Sequence, residues 1–210
     1  FYEMLVEKNK VMNLTGITEF DEVLIKHYLD SISVCQVLSS DIKSVLDLGT
    51  GAGFPGLPLA ICYPSINFTL MDSLNKRILF LQEVVDTLGL TNVALVHARA
   101  EEAARNKLYR EQFDLCVSRA VANISTLMEY CLPFVKVGGQ FISYKSGDVS
   151  EEIASSGKAA KLLGGKMNKP FYFKLKNTDI ERSFLIVDKV AVTVKIYPRK
   201  AGTPSKEPLH

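Results

Sequence analysis

The stretch from Val45 to Cys62 constrains the fold more than any other. Val45-Leu46-Asp47-Leu48 is a short apolar run of the kind that makes a buried parallel strand. It leads into Gly49-Thr50-Gly51-Ala52-Gly53-Phe54-Pro55-Gly56, and an apolar helix is expected over residues 55–62, with Pro55 in the first turn, where a missing N–H costs nothing. Four glycines fall within the eight residues 49–56. A loop of that composition lets backbone approach a bound ligand closely, and the helix behind it offers free N–H groups. A turn that merely packs tightly has no need of so many.

The same alternation continues along the chain. Strands are expected at 67–71, 93–97, 113–118 and 140–144, and helices at 74–88, stopped by Gly89, and at 123–135. Leu74, Ile78, Leu81, Val85 and Leu88 recur at spacings of four and three, which puts them on one helix face. Such alternation folds into a doubly wound, mostly parallel α/β sheet. Residues 1–40 read as a helical extension, 41–196 as the Rossmann-like core, and all 210 residues as a single domain. Residues 171–176 and 183–190 are strand-like around Asn177-Thr178-Asp179, a hairpin that adds antiparallel strands to the sheet edge. Residues 197–210 are rich in Pro, Gly and Lys without an apolar period, and read as a basic surface tail.

Composition excludes several classes. Hydrophobic residues make up 47% and charged residues 23%, the balance of a globular domain and not of a disordered chain. The net charge, 25 Lys+Arg less 23 Asp+Glu, is +2, which excludes a uniformly basic protein but leaves room for a local basic patch. No apolar run nears the ~20 residues that span a bilayer, so no membrane partner is expected. Cys35, Cys62, Cys116 and Cys131 form no close pair and lie in apolar stretches, so reduced and mostly buried thiols of a cytoplasmic protein are expected. His27, His97 and His210 are too scattered for a metal site, and no metal is expected. The chain opens on Phe1 and not on Met, without the form of a secretory leader, so a further N-terminal segment is expected ahead of it.

Two cofactor classes use a loop like this one. Gly51, Gly53 and Gly56 satisfy the dinucleotide pattern GxGxxG. Asp47, two residues before Gly49, gives instead the Asp-x-Gly-x-Gly-x-Gly form of S-adenosylmethionine enzymes. Asp72, ending the next strand, suits both, because each cofactor carries ribose hydroxyls that an acid can bind; with Ser73 it is also placed to cap helix 74–88. Ala98-Arg99-Ala100-Glu101 follows the third strand, where an adenine edge would lie, although Glu is common in any first helical turn. The C-terminal third separates the classes. Too few residues follow the fifth strand for a second parallel half and a catalytic domain, whereas the hairpin completes the seven-stranded sheet of a class I methyltransferase.

With those elements in place, the chain resembles a known family, the small-subunit ribosomal RNA methyltransferase G family, once called glucose-inhibited division protein B. The resemblance is carried by Asn9 with Asn13-Leu14-Thr15, His27 with Asp30-Ser31, Asp47 through Gly56, and Asp72-Ser73 with Lys76-Arg77. It continues through Ala100-Glu101, Ser118-Arg119-Ala120-Val121-Ala122, and a tail running from Tyr197-Pro198-Arg199-Lys200 through Gly202, Pro204 and Lys206 to Pro208-Leu209. The glycine loop alone is generic. Its Phe54-Pro55-Gly56 ending, the Ser118–Ala122 run and the tail together are specific. The resemblance implies S-adenosylmethionine-dependent N7-methylation of a guanine in 16S ribosomal RNA, with that RNA or the small ribosomal subunit as partner. It also implies a cofactor site at Gly49, Phe54, Ala100, Glu101 and Arg119, which Gly51 and Asp72 join from the loop and strand readings above. The residues alone leave open a methyltransferase acting on a small molecule or protein, and a dinucleotide-binding oxidoreductase.

Single residues keep more than one reading. Phe54 suits a cofactor cover or the core. Arg119 suits a cofactor carboxylate, an RNA phosphate or a surface ion pair. His27 and Asp30 stand one helical turn apart, and a structural hydrogen bond is preferred over an active-site lid. Lys145 ends the fifth strand and faces cleft or solvent. Arg199, Lys200 and Lys206 are the candidate phosphate contacts, while Lys158, Lys161, Lys166 and Lys169 read more simply as solubilising. Guanine N7 carries an unprotonated lone pair and demands no general base, so no catalytic residue is nominated and positioning is expected to carry the rate.

Overall fold

The computed structural model describes residues 1–119 and 122–209; Ala120 and Val121 of the Ser118–Ala122 run, and His210, lie outside the described residues. Five strands form the parallel part of the sheet: β1 Ser44–Leu48, β2 Asn67–Asp72, β3 Val93–His97, β4 Phe113–Ser118 and β5 Val135–Lys145. They lie in the order β3-β2-β1-β4-β5, every neighbouring pair parallel. The chain therefore reverses its progress across the sheet between β1 and β4, and the carboxyl ends of strands at such a switch point are where open α/β sheets bind ligands. β1 is covered on both faces, as a continuous apolar run requires. Val45 packs in one layer with Leu5, Leu57, Phe80 and Leu81, and Leu46 and Leu48 pack in the other with Leu127, Met128 and Phe141.

The helix expected at 74–88 runs over Asn75–Leu88. Gly89 takes φ 62, Leu90 N–H donates to Val85 O at 3.1 Å and Gly89 N–H to Asp86 O at 3.2 Å, the Schellman arrangement that terminates a helix. The helix expected over 123–135 ends earlier, at Cys131, and passes through the short 3-10 turn Leu132–Phe134, where Pro133 has no N–H to continue it. β5 accordingly begins at Val135 and not at 140. Gly139 lies within it because a Cβ there would fall 2.4 Å from the carbonyl oxygen of Asp114.

The C-terminal edge holds one strand more than expected. β7 Phe171–Lys174 and β8 Glu181–Lys189 form the anticipated hairpin, and β8 lies antiparallel against β5. A further strand, β6 Gly165–Met167, shares the outer edge of β8 with β7: β6 pairs with residues 187–189 and β7 with 181–184. Among the described residues, eight strands thus fill seven positions. β6 is too short to show any alternation in the sequence. The thiols also divide: Cys116 and Cys131 are buried as expected, but Cys35 and Cys62, each at the end of a helical segment, are exposed.

The flanking segments join this body. Leu5 of the helix Tyr2–Met12 and Val23 of the next helix are fully buried in the same layer as the glycine loop. Asn9 Oδ1 accepts the N–H groups of Leu14 at 2.6 Å and Thr15 at 2.9 Å, and Asn13 turns left-handed with φ 49, which explains the Asn9 and Asn13-Leu14-Thr15 elements as turn chemistry. Residues 197–209 are a docked strap, which corrects the expectation of a surface tail. Arg105 donates to Pro198 O at 2.6 Å and Thr126 Oγ1 to Pro204 O at 2.8 Å, while the guanidinium of Arg199 grips the fully buried carboxylate of Glu129.

Candidate functional site

The glycine loop is built around two carboxylates. Asp47 on β1 is fully buried, and its Oδ2 accepts Thr50 Oγ1–H at 2.6 Å and Gly56 N–H at 2.8 Å. Burial pushes its pKa up, those two bonds pull it back, and it settles at about 6. A Cβ on residue 56 would lie 2.7 Å from Asp47 Oδ2 and 2.8 Å from Leu70 Cγ, so only glycine lets the helix Gly56–Cys62 start this close to the sheet. Asp72, at the end of β2, accepts Gly51 N–H at 3.0 Å and Arg77 Nη1–H at 3.1 Å on Oδ2, and Leu74 N–H at 2.9 Å on Oδ1. Asp72 therefore braces the loop and the turn into the next helix, but it does not cap that helix as expected: the N-cap is Leu74 and no side chain caps it.

Two hollows open at the carboxyl ends of these strands. The first, of about 390 Å³, is bounded by Gly49, Asp72, Ala100, Glu101, Ser118 and Tyr130, with Leu48, Met71 and Leu127 as its apolar floor. That volume is in the range of small-molecule sites. The second, of about 590 Å³, is lined by Arg119, Asn123, Tyr144, Lys145, Glu152 and Arg182. Ala122 borders both. Lys145 donates to Ala122 O at 3.0 Å and pairs with Glu152 at 2.8 Å, so it faces the cleft and not open solvent.

The anticipated site residues fall into three groups. Gly49, Asp72, Ala100 and Glu101 line the first hollow together. Gly51 stands behind it as a brace for Asp72, and Phe54 is buried in the core, its ring stacked 4.7 Å from His27 and 5.1 Å from Phe1. Arg119 borders the second hollow, with its guanidinium 5.3 Å above the Phe54 ring. The strap residues differ among themselves. Lys200 and Lys206 are exposed, but Arg199 meets Glu129 through two nitrogens, at 3.0 Å and 2.7 Å, and also donates to Glu207 O. Arg199 thus has a structural partner that its reading as a phosphate contact does not include. Among the described residues no cluster of His, Cys, Asp and Glu is suited to a metal, and no helix is long and apolar enough to cross a membrane.

The profile of the family described as rRNA small subunit methyltransferase G matches residues 1–181. The Ribosomal RNA small subunit methyltransferase G of Lachnoclostridium phytofermentans is 53% identical over 212 residues, spanning 100% of this chain and 87% of that protein. The chain belongs to this family. Solved structures place its fold among class I methyltransferases. TYW2 of M. jannaschii, in complex with AdoMet, superposes with a TM-score of 0.59 at 14% identity over 83% of this chain and 80% of that one. The [4+2]-cyclase SpnF superposes with a TM-score of 0.60 at 12% identity over 77% and 80%. Identities this low speak for the fold alone, and a cyclase among them shows why the chemistry of a methyltransferase G chain has to be argued from its site.

Tyr130 and Arg182, which line the two hollows, were not singled out in the sequence. Tyr130 lies on the wall of the first hollow, its hydroxyl 2.9 Å from Ser205 Oγ. Glu101, on the same wall, accepts Gly202 N–H at 3.0 Å, so the strap buttresses the hollow at two points. Asp30 is buried between two arginines, Arg119 at 3.0 Å and Arg182 at 2.7 Å. A signal for the strap existed: Glu129 is the only charged residue of the helical stretch Ile124–Cys131, and a buried charge calls for a partner.

Proposed function

We propose that this protein transfers the methyl group of S-adenosylmethionine to N7 of a guanine in the 16S RNA of the small ribosomal subunit, in the cytoplasm. The observation that carries this reading is the pair of hollows meeting at Ala122, one with an apolar floor and acidic rim, the other lined by three cations. The first fits S-adenosylmethionine in the chemistry of its donor set. Asp72 and Glu101 suit hydroxyl and amine donors, Leu48, Met71 and Leu127 suit an adenine face, and a Cβ on Gly49 would meet nothing within 4 Å, so its backbone is open to a ligand. When bound, the cofactor supplies an electrophilic methyl group.

The chain's own residues then have three tasks. Arg119, Lys145 and Arg182 draw an anionic nucleotide into the second hollow; Asp30 offsets one charge of the two arginines and Glu152 that of Lys145, so the cluster keeps a net positive charge. Lys200 and Lys206 add phosphate contacts from the strap. The walls then hold the guanine in line, and orientation of that kind can be worth about 7–11 kcal/mol. N7 has no proton to lose, so no general base takes part. His27 agrees with this: burial and the neighbouring Arg119 press its pKa down to about 4, against the opposing pull of a Lys26 backbone bond and Asp30.

The test is methyl transfer from labelled S-adenosylmethionine to small subunits or 16S RNA, followed by borohydride reduction and aniline cleavage, which cuts RNA at 7-methylguanosine. One cut at one guanine is the expected result. Label at any other atom, label confined to protein or small molecules, or tight NAD binding without S-adenosylmethionine binding would each overturn the reading.

A further inference from the structure

The second helix, residues 20–36, changes its bonding midway. It is α-helical over Phe20–Val23, widens into a π-helix over Leu24–Leu29, and returns to α over Asp30–Ile32. π turns recur at functional sites because they shift the helix register and leave a carbonyl without its usual partner. Here Asp30 N–H bonds to Ile25 O and His27 O and passes over Lys26 O, the acceptor of a regular α turn. The Lys26 carbonyl instead accepts Arg119 Nη1–H at 3.1 Å. The same guanidinium donates from Nη1 to Asp30 Oδ2 at 3.0 Å and from Nη2 to His27 Nδ1 at 3.2 Å. Three acceptors on one widened turn converge on one arginine.

The tautomer of His27 follows from this. Arginine donates only, so Nδ1 has to be bare and the proton stays on Nε2, which donates to Thr15 Oγ1 at 2.7 Å. Thr15 Oγ1 also accepts Ile17 N–H at 3.0 Å, and its backbone is fixed by Asn9 Oδ1. The imidazole is further clamped by its stack on Phe54, whose ring also lies under Arg119. A neutral ring is required, because an imidazolium would point a donor and a positive charge at the guanidinium. The groups that face it are Arg119 from the end of β4 and Asp30 on its own helix, which in turn carries Arg182 of β8.

We propose that His27 is a positioning residue: its bare Nδ1, acting with the Lys26 carbonyl and the Asp30 carboxylate, fixes the direction of the Arg119 guanidinium at the edge of the second hollow. Its relevance to methyl transfer rests on the reading of Arg119 given above. The clamp itself does not.

Two substitutions separate positioning from packing. His27→Asn places an acceptor near the position of Nδ1 but leaves a void beside Phe54. His27→Phe fills the space and keeps the stack but has no acceptor. Positioning predicts that His27→Phe lowers kcat/KM for RNA about tenfold, the size of one lost hydrogen bond to a charged group. His27→Asn should recover most of that loss even though it melts lower than His27→Phe. Packing alone predicts the reverse order of activity, and that result, or equal losses in both, would overturn the proposal. Nitrogen-15 NMR of the arginine side chains reads the clamp without any substrate. Slow rotation of the Arg119 guanidinium in the parent and His27→Asn, and fast rotation in His27→Phe, is the expected pattern. Fast rotation in all three proteins would refute the clamp whatever the enzyme methylates. Slow rotation in a protein inactive on ribosomal RNA would leave the clamp standing and sink the proposed function instead.

Discussion

Arg199→Ala asks what the strap is for. In the structure Arg199 pairs with Glu129, whose side chain is 0% exposed while that of Arg199 is 23% exposed. The carboxylate accepts Arg199 N–H at 2.8 Å as well as three guanidinium contacts, from Nε at 3.0 and 3.1 Å and from Nη2 at 2.7 Å. Alanine leaves a buried carboxylate with one backbone bond in place of four. Breaking a buried ion pair from one side costs about 3–5 kcal/mol, and the partial exposure of Arg199 favours the lower end. For a chain of this length about 3 kcal/mol corresponds to a melting temperature lower by roughly 6–12 °C. Thermal unfolding followed by circular dichroism measures this directly. The strap holds the wall of the first hollow, so the loosened form should also bind S-adenosylmethionine more weakly in calorimetry. If Arg199→Ala instead melts with the parent and only flattens the salt dependence of RNA binding, Arg199 is a free phosphate contact and the strap argument is wrong.

Three further outcomes are expected. Lys200→Ala with Lys206→Ala should leave melting unchanged and reduce the log–log salt slope of RNA binding by roughly 1.4–1.8, two contacts' worth; an unchanged slope would remove the strap from the RNA interface. Gly49→Ala and Gly51→Ala share the strain of φ 73 and φ 61, but only the first adds a methyl group to the lining of the hollow. The Gly49 variant alone should lose affinity for S-adenosylmethionine beyond what its melting temperature explains, and equal losses would refute the placement. At Asp114, burial pushes the pKa up, but hydrogen bonds from Lys136, from the Lys43 N–H and from Ser44 outweigh it and hold the carboxyl at about 2. A depressed acid stabilises the fold above its unfolded value of 3.8, by about 2 kcal/mol here, and the contribution fades as pH falls toward 2. The stability gap between parent and Asp114→Asn should therefore be full at pH 7 and close in acid; a gap independent of pH would show that the charge is not its source.

The sequence disclosed the parts whose logic is local. A continuous apolar run followed by glycines can only be a strand feeding a loop, and Gly89 after a helical period can only be a stop, so β1 to β4 were legible nearly to the residue, while β5 begins five residues before its expected start. The structural reading of His27 with Asp30 was legible too, since three residues apart on a helix means one face. The pattern failed where long-range partners set the structure. β6 exists because β8 has a free edge, which nothing in Gly165-Lys166-Met167 announces. The π turn exists where Arg119, some ninety positions later, takes the carbonyl it frees. Phe54 suits cofactor cover and core alike, and Arg199 reads as a phosphate contact, because an aromatic beside a glycine loop and an arginine in a basic tail look the same whether they face a ligand or a buried partner.

The strap has a thermodynamic consequence. Gly202 N–H on Glu101 and Ser205 on Tyr130 belong at once to the wall of the first hollow and to residues far along the chain. Linkage is reciprocal: whatever factor the seated strap contributes to a ligand's affinity for that wall, the bound ligand returns to the seating of the strap. Amide exchange at residues 197–206 and ligand concentration are then two readings of one equilibrium, and a ligand that prefers the closed wall protects a segment it never touches.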